Sequence, residues 1–264
     1  MQRRQFLAAS IAASTLALAG EATAQSSEQK TREYYQLRRY SLKSGPELKL
    51  TENFFRDALI PAAKRMGLGP AGAFRLTYGE QTPVYYLLIP GGSIAAVAEL
   101  DLRLSDDKEF LDAAQPFWNA TASAPAFQRV EVSLMAAFQG WPKLIPPSES
   151  GLTGKRILQL RTYESPSNAE HIRKVEMFHS GEFDIFRKAG CRPVFFGDVL
   201  AGPRLPKLTY MLSFKDTAEL EARWNVFQND PAWIKLRSDP RFSFDSIVTN
   251  ISNLVLTPLD CSQI

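Results

Sequence analysis

A chain of 264 residues with 31 basic and 28 acidic side chains, a net charge of +3 and 45% hydrophobic content can bury one full core or two half-size ones. The near-neutral balance shows no basic stripe, so it gives no electrostatic case for nucleic acid as a partner. No His/Cys cluster has zinc spacing, so no metal site is expected; a glycine-rich phosphate loop and a G-x-S-x-G elbow are also missing, which excludes the signatures of P-loop and α/β-hydrolase chemistry.

In chain order, the first feature is Arg3-Arg4 ahead of Phe6-Leu7, an Ala/Leu run through Ala19 and the small-residue pattern "ATA" at 22–24. This resembles a twin-arginine export signal, so residues 1–24 read as a removable leader and the mature chain is expected in the periplasm. The apolar run is short of the roughly 20 residues a bilayer span needs, and no transmembrane span is expected in the mature chain.

"YQLRRY" at 35–40 follows, and it recurs 123 positions later as "LQLRTY" at 158–163. At the same separation "GLGP" (67–70) meets "GCRP" (190–193). Further on, Trp118-Asn119 meets Trp224-Asn225 and Pro125-Ala126-Phe127 meets Pro231-Ala232-Trp233, now 106 positions apart. Such a series reads as a tandem duplication whose first copy carries about 17 extra residues, placed at 91–107. Copy one predicts strands 33–41, 72–79, 83–90 and 129–138 with helices 46–66 and 105–120. Copy two predicts strands 156–163, 193–201, 206–214 and 245–256 with helices 168–189 and 216–228. Gly67 and Gly190 stand where helices should end, and Asp230-Pro231 offers a cap with a first-turn proline. In the inserted stretch, Gly91-Gly92 is a flexible entry and Ser93 a cap for an added helix, either a lid over one half or plain reinforcement.

The strand–helix–strand–strand–helix–strand order predicts an α+β fold of two tandem ferredoxin-like repeats. Each is an antiparallel four-stranded sheet with two helices on one face, and the two free sheet faces bury against each other as a barrel. The repeats are assigned to 25–141 and 155–264, with "PKLIPPSESGLTG", residues 142–154, as an exposed linker. In an oxidising compartment Cys191 and Cys261 could pair, although their separation in the fold is not readable from sequence.

The "LRxY" strand ("LRRY" 37–40, "LRTY" 160–163), the helix ending in Gly and the second helix running into "PAF" or "DPAW" resemble the NIPSNAP family, once per copy. That resemblance implies the dimeric α+β barrel superfamily, whose members include haem-handling enzymes, cofactor-free monooxygenases and small-molecule binders. A shared fold does not choose among them. It also leaves open whether the two copies close within one chain or against a second chain as a homo-oligomer.

Two constellations carry the candidate chemistry. Side chains alternate along a strand, so Gln36, Arg38 and Tyr40 share one face and Gln159, Arg161 and Tyr163 its counterpart. With the apolar set turned to the helices, this polar set is expected to face the interior between the sheets. There it forms a structural network, or a pocket for an anion or carboxylate. The second constellation lies on "AEHIRKVEMFHSGEFDIFRKAG", where an apolar stripe of Ile172, Val175, Phe178, Phe186 and Ala189 includes Glu182, the counterpart of Leu59, with His179 three residues before it. Neighbours at that spacing could act as acid and base, or His179 could offer an axial ligand to haem. His171 has no evident partner and is expected in solvent. The leading expectation is an exported small-molecule-binding protein. A haem-handling or monooxygenase-like oxidoreductase using His179 and Glu182 is the first alternative, and a non-catalytic assembly module the second.

Overall fold

The computed structural model describes residues 31–79 and 83–264, so the leader reading at 1–24 lies outside the described residues. The first half runs β1 (Tyr34–Ser41), α1 (Pro46–Asn53), a π-helical turn (Phe54–Leu59), α2 (Ile60–Arg65), β2 (Gly72–Leu76), β3 (Val84–Gly91), α3 (Ile94–Ala98), α4 (Leu100–Leu104), α5 (Lys108–Trp118) and β4 (Arg129–Ala137). The second half runs β5 (Ile157–Glu164), α6 (Asn168–Met177), a second π-helical turn (Phe178–Glu182), α7 (Phe183–Lys188), β6 (Arg192–Ala201), β7 (Lys207–Phe214), α8 (Thr217–Asn229), α9 (Pro231–Arg237), α10 (Phe244–Ile247) and β8 (Asn250–Pro258). The sequence reading placed every strand but began the last one early. The stretch before it turns instead through α10, which buries Ile247. Ser93 and Asp230 do cap their helices, accepting hydrogen bonds from the backbone N–H groups of Ala96 and Ala232.

The strands form one closed antiparallel barrel in the order β1-β3-β2-β8-β5-β7-β6-β4. This corrects the expectation of two sheets stacked face to face. The halves join edge to edge, through β2 against β8 and β4 against β6, so no edge keeps unpaired backbone groups.

Much of the interior of the barrel is apolar. Tyr35, Leu37, Phe74, Leu88, Met135, Leu158, Leu160, Phe195 and Met211 fill it, each buried phenylalanine worth roughly 1.5–3 kcal/mol. The face assignment is therefore the reverse of the one expected. Tyr35, Leu37, Leu158 and Leu160 point into the barrel, while Tyr40 and Tyr163 lie in the cores between sheet and helices. The reason is partner supply. A buried guanidinium or amide must find an acceptor or donor, and the helical layer provides them where the barrel core does not.

Residues 142–154 are not a plain exposed linker. Leu144 and Leu152 are buried, Leu144 joins the barrel interior with Ile264, and the Leu144 N–H donates to Glu33 at 2.7 Å. This end of the barrel is plugged. Cys191 sits in the second helix-side core and Cys261 packs against the first, and both are free thiols, which corrects the suggested pairing.

Candidate functional site

The six strand residues singled out by sequence meet different surroundings in the two halves. In the first half they are sealed. Arg38 Nη2 donates to Asp101 on α4 at 2.8 Å, Arg38 Nε to Gln36 Oε1, and Gln36 Nε2 to the Val97 carbonyl at 2.7 Å. Tyr40 is enclosed by the rings of Phe55, Phe117 and Phe127. Asp101 and Val97 both belong to the inserted stretch, so its two short helices occupy the space over the first-half strand. Neither a pure lid nor bare reinforcement describes this: the insertion supplies the counter-charge. Gln36, Arg38 and Tyr40, expected at a pocket, are instead buried against the inserted helices and the first helix-side core.

In the second half the same face opens into a cleft of about 1120 Å³. Arg161, Tyr163 and Glu182 line it together with Trp224 and Phe227 from α8, Trp233 from α9, and Phe244 and Asp245 of α10. Arg161 is stacked on Trp224, its Cζ 4.4 Å from the ring centroid, and donates from Nη2 to the Tyr163 hydroxyl at 2.9 Å. Its Nε is buried without a hydrogen-bond partner. The carboxylate nearest in role, Glu182, is held by Lys174 instead. Gln159 positions the stack. Its Oε1 accepts from Trp224 Nε1 at 2.7 Å, and its Nε2 donates to Asn253 Oδ1 at 2.8 Å. Capping keeps the walls in place, since Asp216 starts α8 and Asp230 starts α9.

Beneath the cleft lies a buried polar chain. Lys174, fully buried, donates to Glu182 Oε2 at 3.1 Å, and its ammonium lies 4.5 Å from the Phe178 centroid, 4.9 Å from Phe244 and 5.0 Å from Tyr163. The Tyr163 and Tyr210 hydroxyls are 3.2 Å apart. Burial pushes the Glu182 carboxyl above the usual carboxylate range, against the lowering pull of Lys174 and Arg161, and burial likewise raises Tyr210 far above an ordinary phenol. Because the folded value of Glu182 exceeds the unfolded one, its contribution to stability is full below the unfolded value and is lost as pH rises through the folded value. Glu182→Gln should therefore flatten the fall of stability with rising pH in urea denaturation series, and an unchanged slope would show that Glu182 is not its source.

His179 and Glu182 are not brought together. The helix passes through a π turn between them, and Gly181 takes φ 137°, a left-handed-side conformation open to glycine. His179 ends up exposed, stacked on Phe138, its Nε2 accepting from the Gly140 N–H and its Nδ1 donating to the Val175 carbonyl. Both ring nitrogens are engaged outside the cleft, so the residues present do not fit an axial haem ligand there. The expected acid–base pair of His179 with Glu182 fails for the same reason. Ile172 is 66% exposed, which removes it from the predicted stripe, whereas His171 is buried and bonds Asp198 Oδ1 through Nε2 at 2.7 Å rather than facing solvent. Lys174 and Tyr210 were missed. The signal was present, because 123 positions earlier stand Thr51 and Leu87, just as Leu59 stands for Glu182.

Among the described residues no helix is long and apolar enough to cross a membrane, and no group of His, Cys, Asp or Glu could hold a metal ion. The NIPSNAP family model matches residues 158–263, the half that holds the open cleft. No curated protein matches the chain. Among solved structures, a NIPSNAP-like domain protein from Burkholderia xenovorans is 16% identical, covering 40% of this chain and 86% of its own at TM-score 0.36. A nipsnap family protein of unknown function from Agrobacterium tumefaciens is 14% identical over 39% of this chain and 87% of its own at TM-score 0.35. A "putative monooxygenase" from Lactobacillus acidophilus, 10% identical, covers 86% of this chain and 94% of its own at TM-score 0.51, a likeness of fold alone.

Proposed function

We propose, for a chain whose residues 158–263 form a NIPSNAP-family domain, that the second-half cleft binds a small aromatic molecule bearing a carboxylate. The observation that carries this is the unequal fate of two matching arginines. Arg38 is paired directly with Asp101, while Arg161, stacked on Trp224 at the cleft floor, makes no ion pair among the described residues and feels Glu182, itself held by Lys174, only at longer range. A guanidinium is suited to a planar carboxylate through paired N–H donors, and Trp224, Phe227, Trp233 and Phe244 supply ring faces for the rest of the ligand. Polar side chains, among them Gln228, Asn229, Arg237, Ser238 and Asp245, share the lining with those rings, and fixed polar groups of this kind set a ligand's orientation.

The strand orders β4-β1-β3-β2 and β8-β5-β7-β6 within the barrel support an origin by duplication of one unit. On this reading the first copy lost its pocket to the insertion and the second retained it. A second reading, proton transfer on the bound molecule, is favoured by Glu182, whose raised carboxyl lines the same cleft. We place the working protein in the periplasm on the strength of its leader.

Native mass spectrometry of the protein exported from its own leader tests the binding reading. The expected spectrum carries an organic adduct that is lost in Arg161→Leu and kept in Arg38→Leu. An adduct-free wild type that also ignores benzoate and indole-3-carboxylate would leave the barrel as a scaffold.

A further inference from the structure

The other end of the barrel, opposite the plug of Leu144 and Ile264, is open and differently charged. A cavity of about 1050 Å³ enters there, lined by Arg39, Arg129, Arg204 and Lys207, with hydroxyls from Ser133, Thr162 and Thr209. Two of these cations are already answered: Arg39 Nη1 pairs with Glu131 at 2.9 Å and Arg204 Nη1 with Glu164 at 3.3 Å. The other two are not. Among the described residues no carboxylate comes within ion-pair distance of Lys207 or Arg129, yet Lys207 is only 5% exposed. Glu164, its cross-strand neighbour on β5, is drawn to Arg204, so the largely desolvated Lys207 ammonium feels Glu164 and Glu131 only at longer range.

We propose that the open barrel mouth is a second binding site, for a small doubly charged oxyanion of the phosphate-monoester class, with Lys207 and Arg129 as the cations that meet it. The match rests on charge count and geometry. Four cations against Glu131 and Glu164 leave two positive charges, as a phosphate dianion requires, and the Ser133 hydroxyl and one of Thr162 and Thr209, which bond each other at 3.0 Å, can donate to its remaining oxygens. Desolvation, reinforced by Arg204, lowers the Lys207 pKa against the raising pull of Glu164 and Glu131. This site uses the inner face of the barrel, and the aromatic cleft uses the outer face under the helices, so the two proposals stand or fall separately.

The test is thermal melting and calorimetric titration of the full chain with inorganic phosphate, and with acetate as the monoanion, at low ionic strength. Phosphate should raise the melting temperature and bind better than acetate. Lys207→Met should fold at least as well as the wild type, since it exchanges a desolvated ammonium outside any ion pair for an apolar chain, and should bind phosphate roughly 10-fold or more weakly. Arg129→Leu should weaken phosphate in the same direction, and Arg173→Met, which removes an exposed helix charge, should leave it unchanged. The proposal is overturned if the wild type shows no phosphate-dependent shift, if acetate does equally well, or if Arg173→Met loses as much as Lys207→Met.

Discussion

Glu182→Leu, which writes into the second half the residue found at position 59, should destabilise the fold by roughly 3–5 kcal/mol in urea denaturation at neutral pH. The substitution removes the counter-charge of Lys174, which is 0% exposed and has only ring faces and the Met177 sulfur left for company. Those ring contacts offset about 2 kcal/mol of a desolvated cation at best. The double variant Glu182→Leu with Lys174→Met should recover most of the loss, because a buried ion pair replaced whole by apolar groups is often neutral or stabilising. Two outcomes would sink this account. One is a single variant as stable as the wild type; the other is a double variant no better than the single one.

Arg161→Leu should weaken binding of an aromatic carboxylate such as indole-3-carboxylate by roughly 100-fold or more, since removing one side of a buried charge contact costs about 2–5 kcal/mol. Arg38→Leu should leave that affinity within about twofold and act on stability instead, by orphaning Gln36 Oε1 and freeing the half-exposed Asp101. Gln159→Leu separates positioning from contact. It leaves the guanidinium in place but releases Trp224 Nε1, so affinity should fall by less than in Arg161→Leu. Equal losses for Arg38→Leu and Arg161→Leu in calorimetry would mean that the insertion has not sealed the first half.

Much of this was legible in the sequence because the duplication acts as an internal control. The strands came from alternation in "YQLRRY" and "LQLRTY", and the inserted stretch from the drop in separation. Glu182 stands out as a polar residue against an apolar counterpart, Leu59. The same comparison at Lys174 and Tyr210 would have completed the buried chain. What was not legible has physical causes. Alternation gives two faces but not which one is inward, and that choice was made by where Arg38 and Arg161 could find partners: Asp101 on the inserted helices and Trp224 on α8. Three-residue spacing placed His179 beside Glu182 only for an unbroken α-helix, and the π turn with Gly181 rotates them apart. The edge-to-edge closure through β2–β8 and β4–β6 depends on pairings that no local pattern encodes.

A ligand that enters the second half and not the first would be reported by the four tryptophans. Trp224 and Trp233 line the cleft, whereas Trp118 lies at the first-half surface and Trp141 packs against Phe183 and Phe196. In a ¹H–¹⁵N spectrum of the labelled chain, the indole signals of Trp224 and Trp233, assigned by Trp→Phe variants, should move together on titration with indole-3-carboxylate while those of Trp118 and Trp141 stay fixed. Movement confined to Trp118 and Trp141, or none at saturating ligand, would contradict the assignment of the cleft as the binding site.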